Sequence, residues 1–350
     1  MKTDFTKSKK GKILFLYYDP HYFHATLAKE LHADFYPAPK LRSEKSNMIT
    51  GGLSILKAVF TLPRNYDIYF CEGTYLIPAL AKKLGLIRKD AKIVNILASP
   101  LLYYIKTGLI KGIRKRFAIT LLKEVDSFVC VSKMEDDLLK EIIPNAKSIV
   151  IYPFVKQEME IEIMKKKNII PNINAHKILT IGTHSAYYKG IDIVFEAFKI
   201  IKKKFPDAEL NIVGNMPDLK KYVDCNYEGV HCLGYVKDLV KVIKESSLYI
   251  HMGRGDAFVI SVVEAMQCGL PAIVSDVTGV KEIIAKLNMQ LIINLNYKIL
   301  SDRIIWYFNL NNTKKLELSK RAMRLALEFD QKDKIKNFER QFMKVVKNDY

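Results

Sequence analysis

Residues 177–214, KILTIGTHSAYYKGIDIVFEAFKIIKKKFPDAELNIVG, contain a short apolar run, a polar turn, a longer segment with helical apolar period and a second apolar run. Apolar runs of this length bounded by glycine read as buried strands, and the segment between them reads as a helix. Strand, helix and strand in this order imply a parallel βαβ unit. The alternation continues through LYIHMG, SVVEAMQCG and PAIVSD. It is also present upstream, in ILFLYY from Ile13 with the periodic Ala25, Ala28 and Leu31, then in YDIYFCE and PALAKKLGL, KIVNIL, DSFVCVS and KMEDDLLKEII, and SIVIYPF. The fold class expected is therefore α/β, with two tandem doubly wound Rossmann-like domains. The boundaries follow from composition: a basic leader over 1–11, an N-terminal domain over 12–156, a polar, Lys-rich linker over 157–175, a C-terminal domain over 176–313, and helices over 314–350 where strand signals cease.

The chain has 350 residues, 49% of them hydrophobic and 27% charged, which excludes disorder and a fibrous fold. The most apolar stretch, Ile93 to Ile105, is too short for a membrane span and is broken by Pro100. No signal-peptide pattern opens the sequence, so a cytoplasmic location is expected. Five cysteines without a CxxC spacing predict reduced thiols rather than a disulfide framework or a zinc site. The net charge of +19 calls for an anionic partner, and +11 of it lies in residues 1–150. No recognisable nucleic-acid motif accompanies that charge, so nucleic acid is not an expected partner.

Ligands of open α/β sheets bind at the carboxyl ends of the strands, so the loops there carry the candidate chemistry. In GDAFVISVVEAMQCGLPAIVSDVTGVKEII, Gly255 to Ile284, Asp256 precedes an apolar-periodic helix and Glu264 follows after seven intervening residues. Asp256 could serve as a helix N-cap and Glu264 as a solvated helix position. Alternatively, free amides near Phe258 and Val259, with the helix macrodipole, form a site for a diphosphate. At ~1.5 Å per residue the two carboxylates would lie roughly 12 Å apart along the axis, enough to reach both ends of a nucleotide sugar.

The span DAFVISVVEAMQCGLPAIVSDVTGVKE resembles the signature EGFGxxxxEAMAxGxPVVAsdxgGxxE of the GT-B glycosyltransferases of retaining family 4 type, glycosyltransferase group 1. ILTIGTHSAYYKGIDIVFEAF, ELNIVG and HCLGYVKD are similar to upstream pieces of the same family, so residues 176–284 carry the likeness. The resemblance implies two domains facing a cleft, with the C-terminal helices returning to the N-terminal domain. It implies a retaining hexosyltransferase that moves a sugar from a nucleotide-diphosphate sugar to a saccharide or lipid-linked acceptor, without a metal ion, in cell-surface glycan or glycolipid assembly. Carried over by position, Lys189 would contact the diphosphate, Asp256 the sugar hydroxyls and Glu264 the ribose. Phe258 and Val259 would offer amides to the phosphates, Thr278 and Gly279 would close over them, and Gly214, Asn215 and Val236 would belong to loops at the base.

Several positions depart from the family pattern. The first Glu is Asp256, the two glycines of EGFG are Ala257 and Val259, and Thr183 or His184 stands where a phosphate-binding Arg is expected, with Arg254 as a possible substitute or a plain surface charge. In the N-terminal domain, PHYFH with His21 and His24 replaces a Gly-Gly, Ser99 stands where the family often has a catalytic-region His, and Glu72, at the end of YDIYFCE, is placed to face the cleft or to cap the helix after it; these four are the acceptor-side candidates. The segment 106–123, KTGLIKGIRKRFAITLLK, interleaves basic and apolar residues, as a helix lying on an anionic membrane would, or as an ordinary basic surface helix would. The location would then be peripheral at the inner face of the membrane. Two rival functions fit the degraded positions: a catalytically silent nucleotide-sugar-binding or scaffold protein, and a nucleotide-sugar epimerase.

Overall fold

A computed structural model describes residues 11–17, 22–38, 48–73, 76–155, 170–329 and 331–347. His21, most of the basic leader and residues 157–169 of the expected linker lie outside them. The chain divides into two units: Met1–Val131, Glu135–Ile151 and Ile335–Tyr350 form the first, and Ser132–Met134 with Tyr152–Lys334 form the second.

The first unit is built on six parallel strands, β1 (Ile13–Tyr17), β2 (Asp34–Pro37), β3 (Ile68–Glu72), β4 (Lys92–Leu97), β5 (Ser127–Cys130) and β6 (Ser148–Val150), in the order β2-β1-β3-β4-β5-β6. Five helices connect them here, α1 (Tyr22–Glu30), α2 (Met48–Thr61), α3 (Ile77–Lys83), α4 (Leu101–Lys106) and α5 (Gly112–Leu122), and α6 (Lys133–Ile142) joins β5 to β6. Strands β1, β3, β4 and β5 are buried runs because helices cover both faces of a parallel sheet, while β2 and β6, at its two edges, are exposed and half-buried. The segment 106–123 is not one helix: α4 ends at Lys106 and α5 starts at Gly112, and Gly108 and Gly112 turn the chain at φ +74° and +58°.

The second unit repeats the plan with β7 (Lys177–Ile181), β8 (Glu209–Val213), β9 (Val230–Gly234), β10 (Leu248–His251), β11 (Ala272–Ser275) and β12 (Ile292–Ile293), ordered β12-β11-β10-β7-β8-β9. Its helices are α7 (Ile191–Lys204), α8 (Leu239–Glu245), α9 (Ile260–Gln267), α10 (Lys281–Leu287), α11 (Tyr297–Phe308) and α12 (Asn312–Ala326). Helix α7 shows why the apolar period is so legible. It buries Ile191, Val194, Phe198 and Ile201 against the sheet, and it carries Asp192 in its first turn and three lysines in its last, each sign at the favourable end of the macrodipole. The last helix, α13 (Gln331–Lys347), delivers Phe338, Phe342 and Val345 to the core of the first unit, where the Phe342 ring meets Phe70 at 5.2 Å.

The two six-stranded parallel sheets with flanking helices bear out the expected α/β class. One expectation is corrected: Cys225 and Cys232 form a disulfide, while Cys71, Cys130 and Cys268 are buried and outside any disulfide. The two lie seven positions apart in sequence, and β9 brings Cys232 back beside the loop that holds Cys225, a closure that spacing alone does not reveal. No helix among the described residues is long and apolar enough to cross a membrane.

Candidate functional site

In the second unit the strand order reverses at β7, which lies between β8 and the later β10. Helices leaving neighbouring strands at such a point diverge and open a crevice. The loops after β7 and β10, residues 182–190 and 252–259, flank it, and they carry Lys189 and Asp256.

Glycine is what lets these loops approach. A Cβ at Gly190, where φ is +70°, would stand 1.9 Å from the carbonyl oxygen of Met252, and one at Gly214 (φ +105°) would stand 1.9 Å from that of Gly182. The contact brings the two loops together, with the amide of Arg254 donating to the carbonyl of Tyr188 at 2.8 Å. Lys189 Nζ then donates to Asp256 Oδ2 at 2.6 Å, both side chains being largely buried. The imidazole of His251, fully buried at the end of β10, places Nε2 3.3 Å from the same oxygen. Burial raises the cost of ionising Asp256, but the Lys189 charge and the imidazole outweigh it and hold the carboxyl well below the ordinary range. Burial pushes His251 below its usual value against the pull of that carboxylate, which keeps the ring neutral near pH 7.

Asp256 does not cap a helix. Helix α9 begins at Ile260 with Val259 in the N-cap position, and no side chain caps its first amides. Phe258 is anchored just before it by Tyr152 and Phe329, with ring centroids 6.0 and 5.9 Å away. The loop after β11 closes against this turn: the amide of Gly279 donates to the carbonyl of Asp256 at 2.9 Å, and a Cβ there would lie 1.9 Å from the carbonyl of Ala257. Thr278 is buried, its hydroxyl donating to the Ser275 carbonyl at 3.1 Å. Glu264, half-buried, lies in the second turn of α9.

The remaining donor-side candidates fall at the carboxyl ends of β7, β8, β9 and β10. Thr183 and His184 are exposed in the loop after β7, where His184 adopts φ +71° and donates its amide to the Asn215 carbonyl at 3.3 Å. Asn215 is exposed beside Gly234, and Val236 is half-buried against the core. Arg254 does not stand as a plain surface charge. Its guanidinium forms a two-point pair with Asp192 at 2.9 and 2.7 Å, donates to the Tyr187 carbonyl and stacks 3.9 Å over the Tyr187 ring. Such a bidentate, stacked arginine braces the loop it sits on.

In the first unit the order reverses at β1, between β2 and β3. Glu72 ends β3 and meets His24 Nδ1 there, so it does not cap α3, whose N-cap position is Leu76. Gly73, at φ +50°, lies against Ser99, and the buried Ser99 hydroxyl has no hydrogen-bond partner. Three of the four acceptor-side candidates thus surround one switch point.

Four residues of the second unit were not singled out by the sequence, His251, Asp192, Asp218 and Glu282. Asp218 accepts from Ser185 Oγ at 2.8 Å and from the Ala186 amide at 2.7 Å, pinning the loop that bears Thr183, His184 and Lys189. Burial works against its ionisation, but these donors win and hold its carboxyl below the usual range. Asp218→Ala is expected to cost about 1–3 kcal/mol of stability, as loss of a hydrogen-bonded charge does. A carboxyl lowered on folding stabilises above its unfolded pKa and loses that contribution as pH falls through the folded one. The gap in melting temperature between wild type and variant therefore closes below the ordinary Asp range, near pH 3.8, and a gap that persists there contradicts the assignment. Glu282 accepts from the Lys133 and Met134 amides at 3.2 and 2.7 Å and from the Tyr152 hydroxyl at 2.6 Å.

Residues 175–309 match the family profile described as Glycosyl transferases group 1. The chain is 30% identical over 125 residues to an uncharacterized glycosyltransferase of Haemophilus influenzae, covering 34% of this chain and 35% of that protein. It is 26% identical over 226 residues to the N,N'-diacetylbacillosaminyl-diphospho-undecaprenol alpha-1,3-N-acetylgalactosaminyltransferase of Campylobacter jejuni, covering 63% of this chain and 55% of that one. The chain thus spans about half or less of the length of these curated relatives. Among solved structures, Anabaena Alr3699/HepE in complex with UDP and glucose superposes with a TM-score of 0.67 at 16% identity over 97% of this chain and all of that one. Sucrose-phosphate synthase of Thermosynechococcus elongatus gives 0.68 at 13% identity, over 90% and 84% of the two chains. These likenesses establish the GT-B type of fold.

Proposed function

We propose that this chain, whose residues 175–309 match the group 1 glycosyltransferases, transfers a hexose from a nucleotide-diphosphate sugar with retention of anomeric configuration. The observation that carries the reading is the Lys189–Asp256 pair at the open N-terminus of α9, closed over by the Gly279 loop. One buried cation, one buried carboxylate and a cluster of free amides suit a substrate with a diphosphate at one end and hydroxyls at the other.

The diphosphate rests against the amides of Phe258 and Val259 and against Lys189, which carry its charge in place of a metal ion. Asp256 accepts from sugar hydroxyls, Glu264 from the ribose, and Asn215 and Val236 border the base. The acceptor hydroxyl attacks the anomeric carbon from the face the diphosphate leaves. Its oxygen forms the new bond, the bond from that carbon to the phosphate oxygen breaks, and the phosphate oxygen takes the acceptor proton. The protein contributes position and a fixed field rather than a nucleophile. His24, Glu72 and Ser99 supply the acceptor side. The Campylobacter relative is named for an undecaprenol-linked substrate, and together with the basic first 150 residues this favours a lipid-linked acceptor in glycan or glycolipid assembly at an anionic membrane surface.

A thermal-shift panel of nucleoside diphosphates and nucleotide sugars tests the donor site, because a ligand that binds only the folded chain stabilises it by about 2.7 kcal/mol at a hundredfold excess over Kd and so raises its melting temperature. One base is expected to stabilise the protein, and Glu264→Ala to remove the effect. Binding without transfer or hydrolysis would favour a silent nucleotide-sugar binder, a reading that the buried Ala257 and Val259 at two family glycine positions make specific. No stabilisation by any nucleotide would refute both.

A further inference from the structure

The first unit carries an apolar face that its own core leaves uncovered. Helix α2 buries Ala58 and Val59 yet exposes Leu53, Leu56 and Phe60, one stripe at helical spacing. Helix α5 buries Leu121 and Leu122 yet exposes Ile113, at 81%, and Phe117. An apolar pocket of about 190 Å³ is lined by Ile55 of α2, Leu80 of α3, Leu101 of α4 and Phe117 of α5. Two helices of one unit that line the same apolar pocket and each leave large apolar side chains exposed carry the kind of surface that marks a docking site.

Charge identifies the occupant. Lys57, Lys111, Arg114 and Arg116 are exposed around the patch, and none of them forms an ion pair among the described residues. Residues 106–123 contain six Lys or Arg and no Asp or Glu. A second copy of this chain would bring like charges together, and a nucleic-acid backbone would leave the apolar stripes unsatisfied. A bilayer with anionic headgroups satisfies both features, acyl chains taking the stripes and lipid phosphates the cations.

We propose that the α2–α5 face of the first unit docks on an anionic lipid bilayer, with Leu53, Leu56, Phe60, Ile113 and Phe117 entering the headgroup–acyl boundary. The proposal deepens the reading of a lipid-linked acceptor, on which it rests for its biological sense, by naming the surface where such an acceptor is met. It also enlarges the basic segment 106–123 to a two-helix face, in which α2 supplies most of the apolar contact.

Flotation of the full chain with phosphatidylcholine vesicles, with and without phosphatidylglycerol, tests it. Binding is expected on the anionic vesicles and is expected to weaken steeply with salt. Arg114→Gln combined with Arg116→Gln should weaken it roughly 30-fold, at about 1 kcal/mol per cation lost. Leu56→Ser combined with Phe60→Ser should weaken it at least about tenfold, half-burial of each side chain being enough. Wild-type binding in the α2 variant, or no preference of the parent chain for anionic vesicles, overturns the proposal. So does an α2–α5-dependent dimer in light scattering without vesicle binding, which would make the face a self-association surface. The nucleotide-induced thermal shift reads the donor site separately. Its retention in every surface variant confirms folding, and its absence from the parent chain with vesicle binding intact defeats the glycosyltransferase reading alone.

Discussion

Lys189→Ala is expected to lower sugar transfer by at least about 10²–10³-fold, the cost of removing one preorganised group that stabilises charge as it develops on a leaving group. The lysine serves two partners. Its Nζ lies 2.6 Å from Asp256 Oδ2, and a bound diphosphate would share that cation. Truncating one member of a fully buried ion pair costs about 3–5 kcal/mol, and the residual exposure of both side chains lowers the expected loss here to about 1–3 kcal/mol. The variant should therefore remain folded by circular dichroism, with a lower melting temperature and no nucleotide-induced shift. Near wild-type single-turnover transfer in that protein would remove Lys189 from the mechanism. The pH dependence gives an independent reading. Asp256 is held low on folding, so its contribution is present above the unfolded carboxylate range and vanishes as pH falls through the lowered value. The stability gap between parent and variant should shrink in strong acid and stay level near neutrality.

Gly190→Ala is expected to destabilise the second unit by more than about 3 kcal/mol, among the largest effects a single methyl group can have. Two costs add. At φ +70° an alanine is in the left-handed region, worth about 1–2 kcal/mol, and its Cβ would stand 1.9 Å from the Met252 carbonyl oxygen, which no rotamer relieves. Gly85 separates the two terms. Its φ is +69° and nothing lies within 4 Å of its virtual Cβ, so Gly85→Ala should show the conformational cost alone. Urea unfolding of the two variants side by side measures the difference. Equal midpoints would mean that the loops after β7 and β10 can separate freely, and the close approach that seats Lys189 beside Asp256 would lose its support.

The local alternation of apolar runs and apolar-periodic segments determined the strands, the helices and their parallel pairing, because burial on both faces of a sheet leaves a continuous apolar signature in each strand. The motif from Gly255 to Ile284 also made Asp256, Glu264 and the Gly279 loop visible, since each sits at a strand or helix end within one short stretch. Pairing across distance was another matter. That Asp256 answers Lys189 rather than a helix end, that Arg254 is committed to Asp192 and that Asp218 pins the loop of residues 183–189 all depend on which strands become neighbours at the switch point, and that Cys225 closes onto Cys232 depends on how the chain turns into the edge strand β9. The exposed stripe of α2 was equally hidden, because its sequence is apolar around the helix and only packing decides which side meets the core. Periodicity reports how a segment faces its own surroundings. Tertiary structure alone decides which charge another charge will meet and which apolar face will be left for a partner.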